Sequence, residues 1–356
     1  MKIRNLQALR GVAAGIVLLI HALPYDYGLD WLFYKFWWVG PAGVDIFFVL
    51  SGFIVCYSAS KAVNKDSSSV VVSGRFFLKR AARIFPVYWV ALCVAWLVSS
   101  YVDLAPNPKP WEEYNPISYI LLLTVYNNKV RPAWTLAYEM YFYVVLSLIM
   151  FVGGKNIYRW LLGWGAVTLV SIFVFAVIPG LGVRKEFIPV NPLVLEFALG
   201  CGVAFLFEKG VSGGGWASFI AGTLLFVTGC VINSYIGNWG FAWRAVLFGP
   251  ASALIIYGLI DIERNGWRIF PRWLETFGDA SYSLYIWHYV IIMVLMGASN
   301  SLGLINLMPG WLIVLAIILV CIAWSFISYR LIEKPSQKYF YGVIGMAGSK
   351  GKSLSV

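Results

Sequence analysis

Charged residues are scarce in this sequence. Asp, Glu, Lys and Arg together make up 12% of the 356 residues, whereas soluble domains contain about 25%. Hydrophobic residues account for 60%. The composition therefore excludes an ordinary soluble protein and predicts an integral membrane protein.

Histidine and paired cysteines are scarce as well. The chain has two histidines, His21 and His288, and none of its five cysteines belongs to a CxxC pair or a Cys/His cluster. This spacing implies neither disulfides nor a zinc site, so we expect no bound metal. The net charge of +11 comes from basic residues at the ends of apolar spans, so we expect no nucleic-acid partner.

Ten apolar segments are long enough to cross a bilayer. They lie at about 6–24, 39–60, 84–102, 133–152, 160–178, 191–207, 216–236, 244–262, 274–298 and 311–330. The first resembles a signal peptide, but Arg10 and His21 interrupt it and no cleavage site follows, so we expect it to be retained. An eleventh segment, 116–128, is short and ends in the polar run NNKVRP.

The Lys and Arg residues indicate whether segment 116–128 crosses the membrane. If it does not, and the N-terminus is cytoplasmic, 20 of the 27 lie inside and 7 outside; if it does, the split is 14 to 13. Membrane proteins favour the biased arrangement. We therefore predict an all-α integral membrane protein with about ten transmembrane helices and both termini cytoplasmic. We also expect a re-entrant or interfacial element at 116–131 on the outer side, one domain at 1–345 and a flexible cytoplasmic tail at 346–356.

Ionisable residues inside spans are costly and are therefore functional candidates. Arg10 and His21 are eleven residues apart, so they share one helix face and are about 16 Å apart along the axis. Arg80 and Arg83 lie at the depth of Arg10 and share a face. These arginines suit a phosphorylated ligand, or they anchor the protein to lipid phosphates.

A second layer is predicted in the outer half of the membrane. It contains imidazoles and carboxylates, the groups needed for general base catalysis: His21, Asp45, Glu139 and His288. Ser281, Tyr285 and His288 share a face of the ninth segment. The structural alternatives are that Asp45 binds backbone amides and that His288 binds a neighbouring tyrosine.

At these residues the chain resembles the membrane-bound acyltransferase-3 family. The matching pieces run in order over nearly the whole chain: Arg10 and His21, DIFFVLSGF (45–53), Arg80 and Arg83, WTLAYEMYFY (134–143), SYSLYIWH (281–288) and RLIEKP (330–335). Members are typically ten-span enzymes of the bacterial inner membrane that O-acylate cell-surface sugars with acyl-CoA. The sequence looks like the stand-alone type that modifies exopolysaccharide.

The resemblance implies that Arg10, Arg80 and Arg83 bind acyl-CoA and that His21 is catalytic. We expect no permanently bound cofactor, with acyl-CoA, acetyl-CoA by family analogy, as the donor co-substrate. His21 would act as the general base, and Glu139 or Asp45 would orient it. Substrate contacts are expected from Ser281, Tyr285 and His288. A covalent acyl-His or acyl-Ser51 intermediate is an alternative route.

Two other functions fit part of this pattern. A transporter or flippase for a lipid-linked saccharide explains ten spans and intramembrane charges, but it predicts repeat symmetry that we do not see. A membrane scaffold or sensor does not explain a base, carboxylates and arginines at matched depths. The sequence leaves open the acyl group, the acceptor sugar, which could be lipid-linked, and the oligomeric state.

Overall fold

The computed structural model describes residues 3–23, 39–65, 69–99, 101, 116–123, 125, 129–177, 187–236 and 240–344. Helices and turns form these parts of the chain, and no strand occurs in them. The α-helices are α1 (Arg4–Ala22), α2 (Gly40–Lys65), α3 (Ser69–Val98), α4 (Pro116–Ile120), α5 (Trp134–Gly153), α6 (Ile157–Val177), α7 (Val194–Glu208), α8 (Gly215–Ile236), α9 (Phe241–Arg264), α10 (Arg272–Asp279), α11 (Ser281–Ser301), α12 (Gly310–Ser328) and α13 (Lys334–Val343). The predicted tail, 346–356, lies outside the described residues.

Eight segments of the described chain are long and apolar enough to cross a membrane. One of them, Arg131–Val177, contains both α5 and α6. The two helices separate at Gly154, whose φ of +49° favours glycine. Helix α7 coincides with predicted segment 191–207, but its 15 residues are fewer than a bilayer normally requires. The helical, multi-pass architecture is confirmed, while ten spans and cytoplasmic termini remain predictions.

The predicted segment 274–298 is broken at Ala280 into the short α10 and the long α11. Helix α10 packs on α1, where Gly278 lies directly against the backbone of Gln7. Any side chain at Gly278 would collide with that backbone. The Gln7 amide also donates a hydrogen bond of 2.8 Å to Asp279. This docking fixes α10 as a separate helix and begins α11 at Ser281.

Segment 116–128 forms only one short helix, α4, within the residues that the structure describes there. Its backbone is tied to the side of α3. The Tyr88 hydroxyl donates to the carbonyl of Tyr119 at 2.6 Å, and the Trp89 indole donates to that of Ile120 at 2.9 Å. Five helical residues are too few to cross a bilayer. The prediction that it lies on the outer side remains a prediction.

Four long helices form the interior of the bundle. In α1, α2, α9 and α11, 56–78% of the most apolar stretch is buried inside the protein, against 11–28% in the other candidate spans. Small residues allow the interior helices to approach closely. Gly52 of α2 lies against the backbone of Phe197 in α7, and Gly200 of α7 against that of Val49. Polar residues on α1, α2 and α11 are thereby held at fixed positions within the membrane.

Candidate active site

A cavity of about 70 Å³ lies between α1, α2, α3, α5 and α11. Five of the nine predicted site residues line it: Arg10, Arg83, Glu139, Ser281 and Tyr285. Helix α2 contributes Ser51 and aromatic residues, including Phe47. The fold therefore brings side chains from opposite ends of the sequence to one enclosed space.

Two arginines and a carboxylate dominate the charge of this cavity. Arg10 is buried, whereas Arg83 and Glu139 are half-buried. Arg10 and Arg83 repel each other, and Glu139 and Glu333 offset that repulsion. Within the part of the chain that the structure describes, neither guanidinium is hydrogen-bonded to a carboxylate. Their N–H donors are therefore available to a ligand.

The position of Glu139 differs from the prediction. The sequence placed Glu139 in the outer layer with His21, but the structure places it on the arginine-lined cavity. Its carboxylate accepts a hydrogen bond of 3.1 Å from the hydroxyl of Tyr143, one turn further along α5. Tyr143 is itself buried and lines the cavity. Glu139 is thus oriented toward the arginines by its own helix.

Arg80 lies beside the cavity and is not among the residues that line it. Its side chain is half-buried, and its guanidinium lies 5.6 Å from the centroid of the Phe76 ring. Arg80 acts electrostatically on Arg83, Tyr143 and Glu139. The predicted Arg80–Arg83 pair is therefore divided, with Arg83 facing the cavity and Arg80 adding positive charge behind it.

Hydroxyl groups form part of the cavity wall. The hydroxyls of Thr135 and Tyr285 are 2.9 Å apart, and both are within hydrogen-bonding distance of the Pro132 carbonyl, at 3.0 and 3.2 Å. Phe47 packs on Tyr285 with 5.9 Å between ring centroids. The buried hydroxyl of Ser281 has no hydrogen-bond partner among the described residues. It is thus a free polar contact for a ligand in the cavity.

The two histidines of the chain lie together beyond Tyr285. The ring centroids of His21 and His288 are 5.1 Å apart, at an interplanar angle of 60°. His288 is buried and lies 5.8 Å from Tyr285, whereas His21 is exposed. Neither histidine lines the arginine cavity itself. His288 thus contacts both His21 and Tyr285, and Tyr285 lines the cavity.

Each imidazole is held in one tautomer by its own helix. His21 Nδ1 lies 2.8 Å from the Val17 carbonyl, and His288 Nδ1 lies 3.2 Å from the Leu284 carbonyl. A carbonyl oxygen only accepts hydrogen bonds, so Nδ1 carries the proton in both rings. The Nε2 atom of each neutral ring then has a free lone pair, as a general base requires.

Asp45 is engaged elsewhere in the bundle. Its carboxylate forms an ion pair of 2.7 Å with Arg244 of α9, and both residues are buried. Glu196 of α7 lies beside Asp45, close enough for a hydrogen bond once one carboxyl carries a proton. The structure therefore pairs Asp45 with Arg244 and not with His21, contrary to the role expected from the sequence. The charge count places Arg244 on the outer side, at the start of segment 244–262; in the structure it is buried within α9.

Comparison with known protein families assigns this bundle. The model of the family described as "Acyltransferase domain" matches residues 3–330. The chain belongs to the acyltransferase-3 family. The match spans α1 to α12 and includes all nine predicted site residues. The resemblance expected from the sequence is thus confirmed, and the chain is a multi-pass membrane protein of an acyltransferase family.

The names of similar proteins mention different polymers. The chain is 30% identical over 307 residues to the exopolysaccharide production protein ExoZ of Rhizobium meliloti (strain 1021), covering 83% of this chain and 89% of ExoZ. It is 25% identical over 366 residues to the putative peptidoglycan O-acetyltransferase YrhL of Bacillus subtilis (strain 168), covering 93% of this chain and 55% of YrhL. Against the peptidoglycan O-acetyltransferase OatA of Listeria monocytogenes, identity is 23% over 347 residues, covering 85% of this chain and 53% of OatA. No solved structure matches the chain.

Three buried charged residues of this acyltransferase were missed or misplaced by the sequence reasoning. Glu196 and Glu333 are buried, and Arg244 pairs with Asp45. Glu333 accepts a hydrogen bond of 2.7 Å from Ser283 and acts electrostatically on Arg10. The rule that identified Glu139, an ionisable residue within an apolar segment, also applies to Glu196. Glu333 lies in the π-helical turn Tyr329–Glu333, which no sequence pattern indicates.

Proposed function

We propose that the protein transfers an acyl group, most simply acetyl, from acyl-CoA to a hydroxyl of an exopolysaccharide or other cell-surface sugar. The reaction would take place in the bacterial inner membrane. Family membership supports acyl transfer, and the 30% identity to ExoZ over most of both chains favours an exopolysaccharide acceptor. The O-acetyltransferase names of YrhL and OatA support acetyl as the group and a hydroxyl as the acceptor.

The observation that carries the proposal is the pairing of Arg10 and Arg83 on one cavity. Guanidinium groups with free N–H donors bind phosphate through charge-assisted hydrogen bonds. Acyl-CoA carries phosphates at one end and a thioester at the other. A volume of about 70 Å³ is several times the roughly 10–15 Å³ that suffices for one water on the same measure. Only the slender pantetheine arm with its acyl thioester would therefore enter, with the nucleotide at the cytoplasmic mouth.

His21 would supply the base at the far end of the donor. It lies eleven residues beyond Arg10 on α1, about 16 Å along the axis. The hydroxyl proton of the sugar would move to His21 Nε2 as the sugar oxygen bonds to the acyl carbon. The carbon–sulfur bond then breaks, and the proton passes from His21 to the sulfur of the departing thiolate. The Val17 carbonyl holds the tautomer that makes Nε2 available.

The remaining cavity residues would position the donor. Glu139 offsets the positive charge of the two arginines and, through Tyr143, keeps a fixed orientation. The unpartnered hydroxyl of Ser281 would bind a polar atom of the pantetheine arm. Tyr285, which lines the cavity and is hydrogen-bonded to Thr135, would contact the acyl-thioester end. Asp45, paired with Arg244, would join α2 and α9 in place of orienting His21.

The test is acyl transfer by the purified protein in lipid nanodiscs. Labelled acetyl-CoA is supplied with an exopolysaccharide oligosaccharide, and labelled sugar and free CoA are both measured. We expect equal amounts of the two products, and neither from the Arg10→Ala, Arg83→Ala double variant at low donor concentration. Movement of a lipid-linked saccharide across the membrane without CoA release would instead support a transporter and refute the proposal.

A further inference from the structure

The Nε2 atom of His288 is a buried polar atom whose role the proposed reaction leaves open. His288 is 1% exposed, and this nitrogen has no hydrogen-bond partner within the described parts of the chain. Because Nδ1 donates to Leu284, Nε2 is an acceptor with an unused lone pair. Leaving a buried acceptor unpaired is costly. Such an atom is expected where a hydrogen bond forms only during the reaction.

The chemical partner nearest to this lone pair is His21. The ring centroids are 5.1 Å apart. His χ2 torsions are broad, so rotation of either ring can change the separation of the two Nε2 atoms. Two neutral rings present two lone pairs and form no hydrogen bond there. Once His21 takes a proton on Nε2, it becomes a donor and His288 is the matching acceptor.

Other charged and titratable groups around the pair do not replace this acceptor. Arg131 donates a hydrogen bond of 3.1 Å to the hydroxyl of Tyr289 and acts electrostatically on His21. Its positive charge opposes an imidazolium at His21. Tyr289 lies edge-on to His21 at 6.1 Å, and Cys321 of α12 donates weakly to the backbone carbonyl of His288.

The predicted carboxylates are also occupied. Asp45 pairs with Arg244, and Glu139 accepts from Tyr143 on the arginine cavity. The role of orienting the base, which a carboxylate fills in many hydrolases, is therefore open at His21. Among the described residues, His288 is the side chain that contacts the His21 ring and offers it an unused hydrogen-bond acceptor.

We propose that His288 is a positioning residue that accepts a hydrogen bond from the protonated His21 through Nε2. This inference rests on the proposed function, because it assigns the proton of the sugar hydroxyl to His21. The proton moves from the hydroxyl to His21 Nε2 as the oxygen–carbon bond forms, and His288 shares the resulting N–H. When the carbon–sulfur bond breaks, the proton goes to the sulfur, and both rings return to their neutral state.

The experiment measures transfer rate against pH for wild type, His288→Leu and His288→Gln, with CoA affinity recorded for each. Loss of the acceptor in His288→Leu should reduce kcat about 10- to 100-fold. This is the range for residues that orient a metal-binding side chain through a hydrogen bond, and His288 would orient His21 in the same way. It should also move the acidic limb of the profile to lower pH by about one unit, because a hydrogen bond that favours the protonated ring is lost. His288→Gln keeps an acceptor near the position of Nε2 and should recover most of the rate.

Trp287→Phe is the matched control. Trp287 is also buried on α11, and its indole donates a hydrogen bond of 3.0 Å to the hydroxyl of Ser328. Loss of this bond disturbs the helix without removing a contact to His21. Because this disturbance is purely structural, Trp287→Phe should leave the acidic limb of the pH–rate profile unchanged. CoA affinity within about twofold of wild type shows that a variant is folded. If His288→Leu is not folded, His288→Phe, which also removes the acceptor and keeps a ring of similar size, takes its place.

Two outcomes separate this inference from the proposed function. If His21→Gln is inactive but His288→Leu keeps the wild-type rate and profile, His288 has no part in the reaction and the inference is wrong. If His21→Gln itself retains activity, the proposed role of His21 fails, and with it the inference. In a His21→Gln background, the His288→Leu change should reduce the residual rate no further, because the two residues act as one unit.

Discussion

Two clusters of arginine and carboxylate lie inside this bundle, and they differ in what their charges face. In the sealed cluster, Arg244 contacts Asp45 at 2.7 Å with Glu196 beside it, and all three are at most 4% exposed. In the open cluster, Arg10 and Arg83 face a cavity together with Glu139. The same residue types thus form a closed ion pair in one place and an incomplete one in the other.

The difference indicates how charge inside a membrane protein divides between structure and function. A buried charge is tolerated when a partner and hydrogen bonds satisfy it. The sealed cluster meets that condition within the chain, because the Arg244 guanidinium also donates to the Pro41 carbonyl at 3.2 Å. The open cluster has donors left over, and an anionic ligand would complete it. Burial alone therefore does not identify a functional arginine, whereas an unsatisfied donor on a cavity does.

Breaking the sealed cluster should have the largest effect on stability. Arg244→Met leaves Asp45 without a counter-charge in the interior, which costs about 3–5 kcal/mol. We expect a large fall in the yield of folded protein and in its thermal midpoint in detergent. The Asp45→Leu, Arg244→Met double variant removes both charges and should recover much of the loss. A stable, fully active Arg244→Met protein would show that the pair is not structural.

Breaking the open cluster should affect ligand binding instead of stability. Arg10→Ala and Arg83→Ala should each weaken CoA binding by about 10- to 100-fold, because each removes a charge-assisted hydrogen bond of about 1.5–3 kcal/mol. Arg→Lys variants should recover only part of the affinity, since lysine lacks the planar fork. The measurement is calorimetric CoA titration in nanodiscs. Normal CoA affinity in both alanine variants would mean that these arginines only anchor lipid.

Arg80 gives a finer test of the cavity boundary. Its guanidinium does not line the cavity, so Arg80→Ala should weaken CoA binding less than Arg83→Ala, by about 2- to 5-fold. That loss should fade at high salt, because a nearby charge is screened more than a direct contact. An Arg80→Ala effect equal to that of Arg83→Ala would place both arginines on the phosphates.

Tyr143→Phe should have the smallest effect. It removes one hydrogen bond of 3.1 Å to Glu139 and leaves the ring in place. Loss of this one hydrogen bond from a neutral donor costs about 0.5 kcal/mol, the low end of the range for such bonds, so kcat/KM for acyl-CoA should fall about 2-fold. Stability should change little. A Glu139→Gln variant with the same loss would support a shared role, and a silent Tyr143→Phe would show that Glu139 needs no orientation.

Much of the fold was predictable because lipid imposes simple rules. Long apolar segments gave the helices, and the spacing of Arg10 and His21 placed both on one face of α1. The break before α11 was not predictable, since it depends on Gly278 meeting the backbone of Gln7. The N-terminal half of α3, from Ser69 to the start of the predicted segment at 84, was also missed. Polar and charged residues interrupt the apolar pattern there.

Less of the site could be predicted, because depth in a membrane does not determine which residue faces which. Asp45 and His21 were expected together on depth alone, yet Arg244 comes from a distant part of the sequence and pairs with Asp45. Glu139 was assigned to the outer layer from its position in the segment, whereas helix packing directs it to Arg10 and Arg83. Two pairs followed the predicted layers: Arg10 and Arg83 line one cavity, and His21 lies against His288.

The most direct test of the account is the His21→Gln variant, assayed for acyl transfer and for CoA affinity in the same preparation. Glutamine keeps a hydrogen-bonding group but cannot act as a base, so transfer should fall by about 100- to 10,000-fold. CoA affinity should stay within about twofold of wild type, because Arg10 and Arg83 are untouched. A His21→Gln protein that transfers at a near-normal rate would contradict the account and make His21 a structural residue.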